Sequence, residues 1–456
     1  MSKVRTRLYC HGLGDCNLIE ISKPTGGSFW VLIDCGIHTS ALGGSARVAA
    51  VVADIRSLTD RLDVVVATHE HWDHISGFHT AADGFAAFTV GEVWLAWTED
   101  PADAQARDLD RFKGEALAAV AGAAVRLRAD PRQGALANGL DAMLGFEFGL
   151  AGERSRDARE AVKALAPNNI RYLEPGSIAP LPAGLGVTAY VLGPPRDLAM
   201  LALRDDAAST YGIAAALNNG FGLAFGDVDI DDDMGAPFDS TEGMPLSTLG
   251  DGRAGVEGFV RDHYNGKARR DSLPVTDDED PNRPLRDQAW RRIDSDWLGS
   301  AAELAMQLDN RTNNTSLVLA FDLGPAGSGE GDVLLFAADA QVGNWRSWTG
   351  DKAADGVVHP GLKFADGTTS PDLIKRTVLY KVGHHGSGNA TLRPLGLEAM
   401  VSPKLTAFIP TDEVMAKKVK WGAIPEPTLI ERLREKGRVI RSDDVGGKPF
   451  VDLEFG

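Results

Sequence analysis

Cysteine is scarce: Cys10, Cys16 and Cys35 are the only three in 456 residues. They make no pairwise framework and no Cys-x-x-Cys pair. This excludes a disulfide scaffold and points to a reducing, cytoplasmic setting. Basic residues are outnumbered, 47 Lys and Arg against 64 Asp and Glu, for a net charge of −17. A protein coated in basic surface for broad nucleic-acid binding is thereby excluded. A nuclease is not, because bound metal ions can supply positive charge locally. There is no aromatic-and-basic stripe of the kind that single strands favour. No apolar run approaches the ~20 residues of a membrane span. The N-terminal residues lead into a strand and not into an apolar signal core. What remains, 43% hydrophobic and 24% charged residues, is the composition of a soluble globular protein. The length admits one large domain with insertions or two or three ordinary ones.

Against this background one stretch stands out, Thr68-His69-Glu70-His71-Trp72-Asp73-His74. The run before it, residues 62–67, is apolar and β-branched and reads as a buried strand. Three of the chain's 10 histidines and an aspartate therefore sit at a strand's C-terminal end, where α/β folds place their sites. His69 and His71 are separated by one residue. Asp73 and His74 follow at once and cannot point the same way as both earlier histidines. The spacing suits two adjacent metal positions, one taking His69 and His71, the other Asp73 and His74. Imidazole and carboxylate ligands suit zinc and similar divalent ions. The pattern resembles the signature of the metallo-β-lactamase superfamily. That resemblance implies an α/β (α+β) fold, a four-layer αββα sandwich with one or two divalent ions between its sheets.

The rest of the chain reads as a single such domain over residues 1–456, with helical and acidic loop insertions. Strands are expected at 4–8, 18–21, 29–33, 92–97, 170–173 and 186–192, with helices at 45–58 and 155–165. An insertion over 98–168 is mainly helical and is placed to wall or cap the site. A second, over 230–311, is acidic, Gly/Pro-rich and partly mobile, with one helical stretch at 301–308. The acidic run Asp227 to Asp233, which leads into it, lacks the Gly and terminal Glu of an EF-hand loop. His263 reads as structural or exposed, and Lys417-Lys418-Val419-Lys420-Trp421 as a solvated loop. Strands return at 313–321, 332–339 and 377–382. The second of these ends in Asp339, and the third in Gly383-His384-His385-Gly386-Ser387.

These later stretches, with Gly12-Leu13-Gly14-Asp15 and the Pro-initiated, Gly-stopped helix over 425–437, resemble the metallo-hydrolase domain of ComEC-type competence proteins and its free-standing relatives. The resemblance covers roughly residues 4–80, 170–195 and 312–455. It implies that Asp339 bridges two metals and that Asp34, at the end of Leu32-Ile33-Asp34, supports a ligand imidazole. His384 completes the second position with Asp73 and His74, with His385 as the near alternative. The first position holds His69, His71 and Asp339 but is a ligand short, because Gly193 stands where relatives carry a histidine. Catalysis then rests on Asp73, Asp339 and His384, with one or two zinc or manganese ions supplying hydroxide at neutral pH. Ser387, Asn389 and Thr391 are candidate substrate contacts. No cysteine lies near a late ligand position, which argues against an antibiotic-cleaving lactamase. The expected function is metal-dependent hydrolysis of a phosphodiester, in nucleic acid or a nucleotide. The alternatives are hydrolysis of a small ester, thioester or amide, and a degenerate member that binds metal or a partner without turnover. Protein partners are not legible.

Overall fold

A computed structural model describes residues 3–129, 137–138, 140, 153–203, 300–350, 361–418 and 424–456. The chain divides into two compact units. One comprises Met1–Ala118, Ala142–Ala216 and Ala305–Gly456, and the other Ala119–Asp141 and Leu217–Leu304. In the second unit the described residues are helical. The acidic runs at 227–233 and 277–280, and His263, lie outside the described residues.

The first unit contains two sheets built to one plan. The first opens as an antiparallel meander of β1 (Val4–Tyr9), β2 (Cys16–Ser22) and β3 (Ser28–Cys35). Helix α1 (Gly44–Leu58) crosses to the parallel strand β4 (Arg61–Val66). Helices α2 (Trp72–Thr80) and α3 (Ala82–Phe85) precede β5 (Thr89–Ala96). Helices α4 (Ala104–Ala129) and α5 (Glu153–Ala164) precede β6 (Ile170–Leu173). The second sheet begins with β7 (Ile178–Ala179) and β8 (Thr188–Gly193). Helices α6 (Leu198–Ala202) and α7 (Ser300–Asn314) come before β9 (Val318–Asp322) and β10 (Val333–Phe336). Helices α8 (Val342–Thr349) and α9 (Ser370–Lys375) then cross to the parallel strand β11 (Thr377–Lys381). Strand β12 (Thr406–Ile409), helices α10 (Glu413–Lys418) and α11 (Pro427–Lys436), and β13 (Arg438–Arg441) complete that sheet. Strand β14 (Phe450–Phe455) returns to pair antiparallel with β1. The orders are β14-β1-β2-β3-β4-β5-β6 and β13-β12-β11-β10-β9-β8-β7.

Period-two alternation builds the layers. On β3, Val31 and Ile33 join the cluster between the sheets with Phe321, Phe336 and Phe408, while Trp30 and Leu32 face α1 and α2. A third cluster packs α8, α9 and α11 on the outside of the second sheet. The result is the expected αββα sandwich, with α5 contributing Ala158 and Val162 to one outer layer. Among the described residues no helix is long and apolar enough to cross a membrane.

Two local readings change. The strand expected from residue 313 starts at Val318, because Asn313 and Asn314 end a helix that runs on from the stretch expected over 301–308. Asn314 locks that end: its Nδ2 donates to the Leu201 and Leu203 carbonyls, and its Oδ1 accepts from Gln341 N and Asn344 N. Gly437 does stop α11, but in an extended conformation. A Cβ there would lie 2.2 Å from Leu405 O, so the glycine permits close backbone approach.

Phe321 is fully buried between the sheets and packs edge-on against Phe336 at 5.9 Å. Phe321→Ala is expected to lose about 3–5 kcal/mol, read as a lower urea midpoint with the two-sheet fold retained by circular dichroism.

Candidate metal centre

The site forms where four strand ends meet. Strand β4 ends at Val66, and Ala67 N donates to Trp94 O on β5 before the chain turns away at Thr68. His69 and His71 lie in that turn, and Asp73 and His74 on the first turn of α2. Two glycines allow the neighbouring loops to close on this backbone. A Cβ at Gly36 would lie 2.3 Å from Asp73 C and O. One at Gly14, where φ is +147°, would lie 2.9 Å from Asp73 O. Through the gap so left, Asp15 N donates to Asp73 O at 3.0 Å.

The later ligand types follow β10 and β11 on strained backbone. Ala338, His384 and His385 have φ of 48°, 43° and 52°, and Asp34 on β3 has 58°. Such non-glycine conformations cost on the order of 1–3 kcal/mol each and persist only where surroundings over-determine them. Here His384 N donates to Ala338 O at 3.2 Å and to Asp339 Oδ1 at 3.0 Å, tying the two loops together.

Among the described residues three groups of ligand atoms result, and two of them share Asp339. Asp73, His74, Asp339 and His385 form one of these, and His69, His71 and Asp339 the other, while Asp15, Asp34 and His74 make up the third. Asp339 Oδ2 lies 3.1 Å from His74 Nε2 and 4.0 Å from His69 Nε2. His385 Nε2 lies 2.7 Å from Asp73 Oδ2. The structure thus groups His385 with Asp73 and His74, whereas His384, the first choice from sequence, is half-buried and contacts Asp339 through its backbone. Glu70 points away, to Lys113 at 2.7 Å and Arg159 at 3.5 Å.

Outer partners set each ring. His385 Nδ1 donates to Pro410 O at 2.7 Å, which aims Nε2 at Asp73. Asp34 Oδ2 holds His74 Nδ1 at 2.8 Å and aims Nε2 at Asp339. Thr68 Oγ1 donates to Asp34 Oδ2 at 2.7 Å and lies 3.2 Å from His69 Nδ1. Sequence reading assigned no role to Thr68, nor to Lys381, which is buried, pairs with Asp15 and donates to Ala338 O at 3.2 Å. The available signal was a lysine inside an otherwise apolar strand.

Burial and charge then act in opposition. Burial pushes His69 and His71 down, His71 to about 3, with neighbouring imidazoles adding to the effect at His69. Both shifts favour the neutral ring, the form in which an imidazole can ligate a metal. Burial also opposes charge on His74, but Asp339, Asp15, Asp73 and Asp34 outweigh it and raise its pKa. Burial would likewise raise Asp73 and Asp339, but His74 foremost pulls both below the usual carboxylate range. Lys381 is held charged by Asp15 and Asp339 against its burial.

These residues fit a divalent cation. His69 Nε2 is buried and makes no hydrogen bond among the described residues. Converging buried imidazoles and carboxylates without such an ion leave polar atoms poorly compensated. The remaining sequence candidates fall outside the groups. Ser387 Oγ donates to Asn389 Oδ1 at 2.8 Å, both half-buried. Thr391 is fully buried against the Tyr380 hydroxyl at 2.8 Å and is part of the core, not a substrate contact. Cys16 and Cys35 pack on the outer face of the first sheet. Lys417 pairs with Glu413 at 2.6 Å, and residues 419–421 lie outside the described residues. Gly193 ends β8, and the space beside it is filled: a Cβ there would lie 2.1 Å from Asn344 Oδ1.

With the ligand groups and the two-sheet frame in place, the chain can be compared with known families. Residues 11–147 match the metallo-beta-lactamase superfamily. The match contains the His69–His74 motif and Asp34. The two sheets and their helical layers agree with the metallo-β-lactamase sandwich throughout the described first unit. No curated protein and no solved structure matched the chain.

Asp34→Asn keeps the side chain's shape but changes the group that holds His74 Nδ1. Metal affinity is expected to fall about 10–100-fold, measured by competition with a chromophoric chelator. An unchanged affinity would remove Asp34 from its supporting role.

Proposed function

We propose that the chain is a metal-dependent hydrolase, a reading supported by the superfamily match over residues 11–147 and by the buried His/Asp cluster. We propose further that the substrate bond is a phosphodiester, that zinc or manganese occupies one or both of the groups that share Asp339, and that the chain is functionally related to the ComEC-type domains. The observation that carries the two-metal part is the position of Asp339, one carboxylate common to both groups. The absence of a cysteine from either group, among the described residues, favours a broad hydrolase over an antibiotic-cleaving lactamase. The Gly383-His384-His385-Gly386-Ser387 loop and Asn313-Asn314-Thr315-Ser316-Leu317 support the ComEC-type reading.

Bound divalent ions lower the pKa of a coordinated water and stabilise charge on the attacked oxygen. The chain's own groups do the rest. His69, His71, His74 and His385 present Nε2 atoms whose orientation is set by the partners of Nδ1 or by the close-packed turn. Asp73 and Asp339 stay ionised and offset the positive charge gathered there. Asp34 and Lys381 lie behind these ligands and are sealed from solvent. We place His384 on the substrate side, because its ring lies outside both groups that share Asp339; burial lowers its pKa, against the pull of Asp339. Ser387 and Asn389 border the same turn and contact the substrate's polar groups.

The test pairs elemental analysis of protein purified without chelator with hydrolysis of bis(p-nitrophenyl) phosphate, with and without added zinc or manganese. The expected result is about two ions per chain and metal-dependent cleavage. His385→Ala is expected to lower metal content, and His384→Ala to lower turnover with metal content unchanged. Metal retention with cleavage of carboxylic esters and not of phosphodiesters would replace the proposed substrate class. No retained metal and no activity on metal addition would leave a binding-only protein.

A further inference from the structure

The group formed by His69, His71 and Asp339 offers three ligand atoms. A closed tetrahedral ion takes four, and a catalytic one keeps water as the fourth. The end of β8 contributes no side chain to this group. Asn344 occupies the space at Gly193, its Nδ2 donating to Asn314 O and Ser316 O, each at 3.0 Å, and its Oδ1 accepting from Trp348 Nε1 at 3.0 Å.

A different element approaches one member of this group, His71. Asp309, on α7, places Oδ1 3.7 Å from His71 Nε2. That separation is too long for a hydrogen bond. It is close to the ~3.4 Å expected of two ligand atoms that share one tetrahedral ion with bonds of about 2.1 Å. Oδ1 is buried, and Asn313, one helical turn on, donates Nδ2 to the other oxygen, Oδ2, at 3.3 Å. The carboxylate is therefore turned with one oxygen held by its own helix and the other toward His71. The helix end cannot drift from the site. Asn314 is locked as described above, and Leu317 N donates to Thr68 O at 2.9 Å, next to His69.

Resting on the metal-centre reading above, we infer that Asp309 is the fourth protein ligand of the first metal position, supplied by helix α7 in place of a side chain from the end of β8. The position then holds two imidazoles and two carboxylates, Asp309 and the shared Asp339. Asp309 adds one negative charge beside an ion whose other carboxylate, Asp339, is shared with the second position.

The test uses the full chain and Asp309→Asn, which keeps the side chain's volume and can still accept from Asn313. Cobalt(II) is titrated into metal-free protein and followed by visible absorption, with stoichiometry by elemental analysis. Wild type is expected to bind about two ions. Asp309→Asn is expected to bind the first-position ion at least about tenfold more weakly, with an altered cobalt spectrum, and to keep the second. His71→Ala should weaken the same ion. The double variant should be no weaker than the worse single one, the non-additivity of groups sharing a partner. Wild-type stoichiometry, affinity and spectrum in Asp309→Asn would overturn the assignment and leave the metal-centre reading standing. A wild type that binds no cobalt would overturn both. Thermal midpoints of the metal-free proteins check that the variants fold, and Asp309→Ala gives a second variant of the same residue.

Discussion

Four buried carboxylates, Asp15, Asp34, Asp73 and Asp339, stand within one small volume between the strand ends, and their mutual repulsion is the constraint the structure must answer. Two like charges about 4 Å apart repel by about 4 kcal/mol at an effective dielectric near 20. The answer is local and specific. Lys381 lies against Asp15, His74 stands among all four, and His385 lies against Asp73. What the protein groups leave unbalanced is the charge and coordination that a divalent cation supplies.

The backbone around this cluster is shaped for the same end. Asp34, Ala338, His384 and His385 are all held in left-handed conformations that side chains disfavour. Each sits where a strand stops and the chain must turn sharply to present a polar group inward. Gly14 and Gly36 let two loops approach the Asp73 peptide to distances no side chain permits. The interlocked sheets, with Phe321, Phe336 and Phe408 between them, provide the rigid frame against which such strain persists.

The end of β8 shows how the same frame accommodates a change. Where the resemblance leads one to expect a histidine, Gly193 opens a space that Asn344 fills. Asn344 in turn binds the Asn314 and Ser316 carbonyls at the foot of α7. Helix α7 is consequently anchored beside the first ligand group, and its inward face, not the strand, borders His71.

Much of this was legible from residue order alone. The β4 run and the His69–His74 spacing locate a two-position metal motif, because ligand types separated by one or two residues at a strand end must converge. Alternating and continuous apolar runs yielded most strands to within a few residues, since period and burial are local properties. Asp34, a carboxylate ending a buried strand, read by itself as turn chemistry, and only the family resemblance suggested it as a support. Tertiary structure decided the rest. Asn313 and Asn314, polar residues before an apolar run, read as a strand start, but contacts to Leu201, Leu203 and Gln341 hold them as a helix end. His384 and His385 are adjacent, and only the left-handed turn after β11, fixed by Ala338, Asp339 and Pro410, determines which ring joins Asp73. Lys381 and Asp15 are 366 positions apart, and Asp309 and His71 are 238 apart. Sequence determines which chemical groups exist and which strand ends present them. Which groups meet across such separations is set by the packing of the two sheets, whose contacts are long-range and have no local signature.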